Sequence, residues 1–243
     1  MSMFAIRTLA LTALLVSLSV PASGAVRPAG ATGPLGDERL SNETTITRWA
    51  HVAQRAVVRR APQRDARGIA RLRYFTEDNL AEVYLVLKSR RGAGGVWLKV
   101  RVPGRPNGRT GWVPESALGR LHTVTTRLVI VRRTGRATLY RDGRAIWRAP
   151  VGTGAPGTPT PAGRFWIRER MRASGGVYGP WAFGTSAYSV LSDWPGGGVI
   201  GIHGTNQPQL IPGRPSHGCI RVRNGDLLRL VRLMPIGTPV AIR

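Results

Sequence analysis

"SHGCIRV" (Ser216–Val222) holds the only cysteine among 243 residues, with His217 two positions before it and Arg221 two positions after. A second histidine, His203, stands sixteen residues upstream at the end of the apolar run "VIGI", and the chain has only four histidines. A thiol with a pKa of about 8.5 is mostly protonated at neutral pH, and a nearby imidazole or positive charge is what generates an attacking thiolate. A lone loop histidine is ordinarily solvent-exposed and a strand-end histidine ordinarily a satisfied polar residue. Two of them crowded onto one unpaired sulfur point instead to a nucleophile with its base. Gly218, directly before Cys219, lets the backbone turn tightly and turn amide N–H groups toward an oxyanion. The carbonyl of Gly204, next to His203, is placed to accept the imidazole N–H and hold one tautomer.

The N-terminus sets the compartment. "MSMFAIRTLALTALLVSLSVPASGA" has one basic residue, Arg7, then an apolar run from about Leu9 to Val20, then small residues ending at Gly24 or Ala25. That order predicts a secretory signal peptide over residues 1–25. A dozen apolar residues fall short of the ~20 that span a bilayer, so contact with the membrane is expected only during export, with retention as an anchor the alternative to cleavage. Exported proteins normally pair their cysteines, which makes the single thiol of Cys219 either inert and buried or reactive.

The formal charge is +24, from 36 basic against 12 acidic residues, and only Lys88 and Lys99 among the basic ones are lysine. Such a balance favours polyanionic surroundings. The arginines are scattered through every segment rather than gathered in a stripe, which argues against a nucleic-acid surface. For an exported chain the polyanions at hand are anionic wall polymers.

Residues 26–45, rich in Gly, Pro and Ala, read as a flexible lead-in. From residue 46 to 121, short β-type runs such as "AEVYLVLKSRR" and "VWLKVRV" alternate with turn residues, which predicts a small barrel. Residues 122–243 form a second unit, mostly strands, with an Asp142-Gly143 hairpin turn. Only "NGDLLRLVRLM" (residues 224–234) reads as a helix, with Asn224 as its cap and Pro235 as its stop. The fold expected is therefore mainly β: a small barrel followed by a sandwich of sheets with one short helix.

Two resemblances attach to these stretches. "WLKVRVPGRPNGRTGWVPESAL" (residues 97–118) looks like the closing half of a bacterial SH3-like domain, whose members commonly bind wall material or peptides. "GIHGT" (Gly201–Thr205) followed by "SHGCIR" (Ser216–Arg221) closely resembles the signature of the L,D-transpeptidase catalytic domain, and "VGTGAPGTPTPAGRF" (Val151–Phe165) resembles the turn-rich stretch that precedes it there. The second resemblance implies chemistry on peptidoglycan stem peptides outside the cytoplasm. Cys219 would be the nucleophile, His203 the base and Gly204 the base-orienting acceptor. Ser216, His217, Gly218 and Arg221 would shape the loop, the oxyanion site and the substrate contacts. No cofactor or metal is called for, because the energy of the cleaved peptide bond is kept in a thioester. Three alternatives stay open: a carboxypeptidase or protein-attaching enzyme using the same nucleophile, an idle wall-binding protein, and a metal site on His203, His217 and Cys219. The last suffers from an unfamiliar H-x13-H-x-C spacing and the lack of an evident fourth ligand.

Overall fold

The computed structural model describes residues 36–243 apart from 93 and 194, and these belong to one compact unit. The expected signal peptide lies outside the described residues. The chain is mainly β, and no helix among the described residues is long and apolar enough to cross a membrane.

Eight strands build the first sheet: β1 (Glu38–Arg39), β2 (Thr47–Ala50), β3 (Val57–Arg59), β4 (Gly68–Arg71), β5 (Tyr84–Gly92), β6 (Gly95–Arg101), β7 (Thr110–Pro114) and β8 (His122–Val124). Their order is β4-β3-β7-β6-β5-β2-β8, with β1 paired to β5. Alternating apolar residues of β5, β6 and β7 turn inward, so that Val86, Val100 and Val113 share a core with Val58 and Leu98. The lead-in expected to run to residue 45 ends sooner. Glu38 and Arg39 pair with Ser89 and Lys88, and the Glu43 carboxylate takes bonds of 2.6 and 2.8 Å from Arg101. These partners lie 45 or more residues away, beyond the reach of a local composition reading.

The second sheet system contains β9 (Thr126–Val131), β10 (Arg136–Arg141), β11 (Arg144–Gly154), β12 (Gly163–Trp166), β13 (Met171–Arg172), β14 (Trp181–Tyr188), β15 (Val199–His203), β16 (Gly213–Ser216), β17 (Ile220–Val222) and β18 (Pro239–Ile242), with helix α1 (Asn224–Leu233) between the last two strands. The order is β12-β18-β9-β10-β11-β17-β15-β14-β13, with β16 on β11. Strand β11 serves both halves: residues 144–150 pair with β10, and Val151 and Gly152 pair with β17. Leu128, Ile130 and Leu139 from one half and Phe183, Ile202 and Ile220 from the other meet in a single core. Asp142 and Gly143 make the predicted hairpin with φ of 50° and 78°, the left-handed values that this dipeptide tolerates. Asn224 does not cap α1. Arg223 holds the cap position without a side-chain bond, and the Asn224 Oδ1 accepts instead from the backbone N–H of Thr205 at 2.9 Å.

The two sheets are joined through polar and apolar contacts. Trp166 packs with Val83 and Leu85 and donates its indole N–H to the Val83 carbonyl at 2.8 Å. Asn107 exchanges two bonds with the backbone of Tyr188, at 2.9 and 3.0 Å. Arg168, buried two residues after Trp166, donates to Glu82 at 2.7 and 2.6 Å.

Candidate active site

Strand alternation sorts β14, β15 and β17 into a core face and a site face. Ile200, Ile202 and Ile220 point into the core, which leaves Gly201, His203, Cys219 and Arg221 on the opposite face. The parallel register places His203 beside Arg221. A cavity of about 300 Å³ opens on this face, and Cys219, His203, Gly201, Gly184, Tyr178 and Glu169 are among the residues that line it.

Gly201 is what lets the two reactive groups share that space. A Cβ there would stand 3.8 Å from the Cys219 Sγ and 3.7 Å from the His203 Cδ2, so any longer side chain would fill the gap between them. Its backbone N–H donates to Sγ at 3.4 Å. The imidazole Nδ1 of His203 lies 2.7 Å from the Gly204 carbonyl oxygen. A carbonyl only accepts, so Nδ1 carries the proton and Nε2 offers its lone pair. The Tyr178 ring meets the imidazole edge-on, with centroids 5.0 Å apart.

The turn that presents Cys219 is tied at both ends. Ser216 Oγ donates to the Cys219 carbonyl at 2.6 Å and accepts from the Gly218 N–H at 3.2 Å. Thr160 Oγ1 donates to the Gly218 carbonyl at 2.7 Å, and the Ala155 N–H donates to the Ser216 carbonyl at 2.8 Å. The turn-rich stretch before β12 thus laces the cysteine loop from behind. Gly218 has a φ of 124°, which an L side chain rarely adopts. Arg221 donates to Gln207 at 3.1 Å, and His217 is exposed and is not among the residues that line the cavity.

Electrostatics make the resting pair neutral. Burial pushes the Cys219 thiol upward, and the Gly201 amide and the Arg221 charge offset only part of that. Burial also holds the His203 imidazole below its usual range; Arg221 lowers it further, while the bond to Gly204 works the other way. At neutral pH the site therefore holds a thiol and a neutral imidazole.

Of the residues expected from sequence, Cys219 and His203 line the cavity, while Gly204, Ser216 and Gly218 orient or tie them. Tyr178, Gly201, Glu169 and Asp78 also line the cavity and were not expected there, and Asn224 ties the loop after His203 through the Thr205 N–H. Only Asn224 carried a readable local signal, and that signal was for a different role.

Known proteins resemble the half of the chain that carries this site. The family model for the L,D-transpeptidase catalytic domain (YkuD) matches residues 125–242. YkuD of Bacillus subtilis, assigned as an L,D-transpeptidase, is 32% identical over 121 residues, covering 50% of this chain and 68% of its own length. Its namesake in Bacillus licheniformis is 33% identical over 120 residues, covering 49% and 67%. The crystal structure of an Enterococcus faecium L,D-transpeptidase mutant aligns with a TM-score of 0.40 at 23% identity, covering 49% of this chain and 49% of that one. With the family model matched from β9 to β18 and two thirds of a Bacillus relative covered, the chain belongs to the L,D-transpeptidase catalytic domain family.

Proposed function

We propose that this protein is an exported peptidoglycan L,D-transpeptidase that forms 3→3 cross-links between stem peptides through a thioester on Cys219. The observation that carries the reading is the pairing, in one cavity, of the Cys219 sulfur with an imidazole whose tautomer is fixed by Gly204. Nε2 of His203 takes the thiol proton as Sγ bonds to the carbonyl carbon between the diamino residue and the terminal D-alanine. The C–N bond breaks, and the amine of D-alanine leaves with that proton. A side-chain amine of a second stem then attacks the thioester, gives its proton to His203 and releases the thiolate, which takes the proton back. The Gly218 N–H is engaged by Ser216, so the Cys219 amide is the donor assigned to the oxyanion.

Export by the signal peptide places the enzyme in the cell envelope. The first sheet serves as an SH3-like wall-binding module, and the arginine-rich surface favours anionic wall polymers as a second partner. Mass spectrometry of muropeptides after incubation with the purified enzyme tests the reaction. Cross-linked dimers carrying the 3→3 bond are expected; trimmed tripeptides alone would make it a carboxypeptidase, and untouched stems would refute catalysis.

A thiol raised above 9.0 and an imidazole lowered below 6.5 mean that the proton moves as the sulfur attacks. The acylation rate should hold steady as pH falls through 6.5, decline only at lower pH where His203 is protonated, and show a normal solvent deuterium isotope effect. A rate that rises with a thiolate titrating near neutrality, without an isotope effect, would indicate a preformed ion pair.

A further inference from the structure

Strands β14 and β15 set Gly184 directly opposite Gly201, and neither carries a side chain on the site face. The two glycines mark the ends of a bare strip of sheet. At one end stands the Cys219 sulfur, 3.8 Å from where a Gly201 Cβ would be; at the other, a Gly184 Cβ would overlap the carboxylate of Glu169. Opposed Cβ positions on paired strands lie ~5 Å apart, which puts the carboxylate no more than about 11 Å from the sulfur. The backbone holds it there: Glu169 and Gly184 exchange N–H bonds to each other's carbonyl, both 3.2 Å.

Glu169 is 1% exposed and lines the cavity, yet its Oε1 has no hydrogen-bond partner. An unmatched buried carboxylate oxygen is costly, and no cation among the described residues forms an ion pair with Glu169. The adjacent guanidinium of Arg168 is spent on Glu82 and Glu77, and Arg73 on the same two carboxylates. Asp78, exposed on the turn before β5, lines the same cavity and adds a further negative charge. Burial and Asp78 hold the Glu169 carboxyl up to about 7, against Arg168 and Thr76, which lower it. In a chain of net charge +24, this wall of the cavity is acidic.

We propose that Glu169, with Asp78 at the rim, is the subsite for a primary ammonium on the substrate, namely the free side-chain amine of the diamino residue in the acyl-donor stem. The assignment rests on the functional reading above and names the group by which the donor is recognised. Reach favours the donor. Its acyl carbon bonds directly to Sγ, and a four- or five-atom side chain from the same residue spans most of the strip to Glu169. An attacking amine must instead sit beside the thioester itself.

The test compares D-alanine release from a tetrapeptide with a free side-chain amine and from the same peptide with that amine acetylated. Rates are normalised to carbapenem acylation, which reports an assembled Cys219 site. Wild type is expected to prefer the free amine, and Glu169→Gln, nearly isosteric, to erase the preference with a roughly 10- to 100-fold rise in KM for the free-amine peptide only. Asp78→Asn, on an exposed turn, should give a smaller change in the same direction. Equal losses on both peptides, no loss on either, or a defect confined to amine attack on a preformed thioester would each overturn the donor subsite. A wild-type enzyme that releases D-alanine from neither peptide would overturn the functional reading instead.

Discussion

Cys219→Ala is expected to release no measurable D-alanine and to gain no mass on incubation with a carbapenem, a fall of at least ~10³-fold in each, because removal of a covalent nucleophile leaves only binding and oxyanion contributions. The site around it should survive. The sulfur accepts one weak bond from the Gly201 amide, and the residue is only half-buried, so the substitution opens little space. The turn is held by Ser216 and Thr160 through backbone atoms of residues 218 and 219, which alanine retains. Unfolding stability should therefore stay within about 1 kcal/mol of wild type. Intact-protein mass after carbapenem exposure, with a thermal melt on the same sample, checks both halves. Retained acylation at wild-type speed would remove Cys219 from the mechanism; a collapsed melt would make the thiol structural.

The residues that carry the proposed chemistry were legible because they sit close in the chain. His203 to Cys219 spans one strand, one loop and one turn, and a lone thiol between histidine and arginine announces itself without tertiary knowledge. The Asp142-Gly143 hairpin was legible for the same reason, since dihedral preference is a property of two residues. Asn224 shows where local reading fails. Its type and position before an apolar run fit a helix cap, but its Oδ1 accepts from the backbone N–H of Thr205, nineteen residues away in sequence and adjacent in space. Glu169 and Asp78 were invisible for a further reason: an isolated carboxylate has no spacing signature, and their shared cavity exists only once the turn before β5 is brought against β14. Gly184 and Gly201 likewise read as ordinary strand glycines until the register set them opposite one another.

Glu82→Ala is expected to be the most destabilising single change in the joint between the two sheets, at about 3–5 kcal/mol. Glu82 is 0% exposed and Arg168 is 1% exposed. Both carboxylate oxygens of Glu82 are engaged by Arg168, at 2.7 and 2.6 Å, with Arg73 adding a contact at 2.9 Å and the Val83 N–H another at 3.0 Å. Truncation leaves the Arg168 guanidinium out of water with the partly exposed Glu77 as its remaining carboxylate. The size of the loss is thus the cost of a buried charge left with one partly exposed partner rather than the worth of the pair. That distinction is testable, because replacing both members by apolar residues removes the charge along with its partner. Glu82→Leu combined with Arg168→Met should recover most of the stability lost in either single variant, a coupling of at least ~2 kcal/mol in a double-mutant cycle read by denaturant unfolding. Additive losses would mean that the two side chains act independently. The cycle also bears on the cavity: Arg168 directs its charge to Glu82 while the next residue, Glu169, is held against Gly184 by backbone bonds that both substitutions retain, so the double variant should keep its fold and its discrimination for the free-amine peptide.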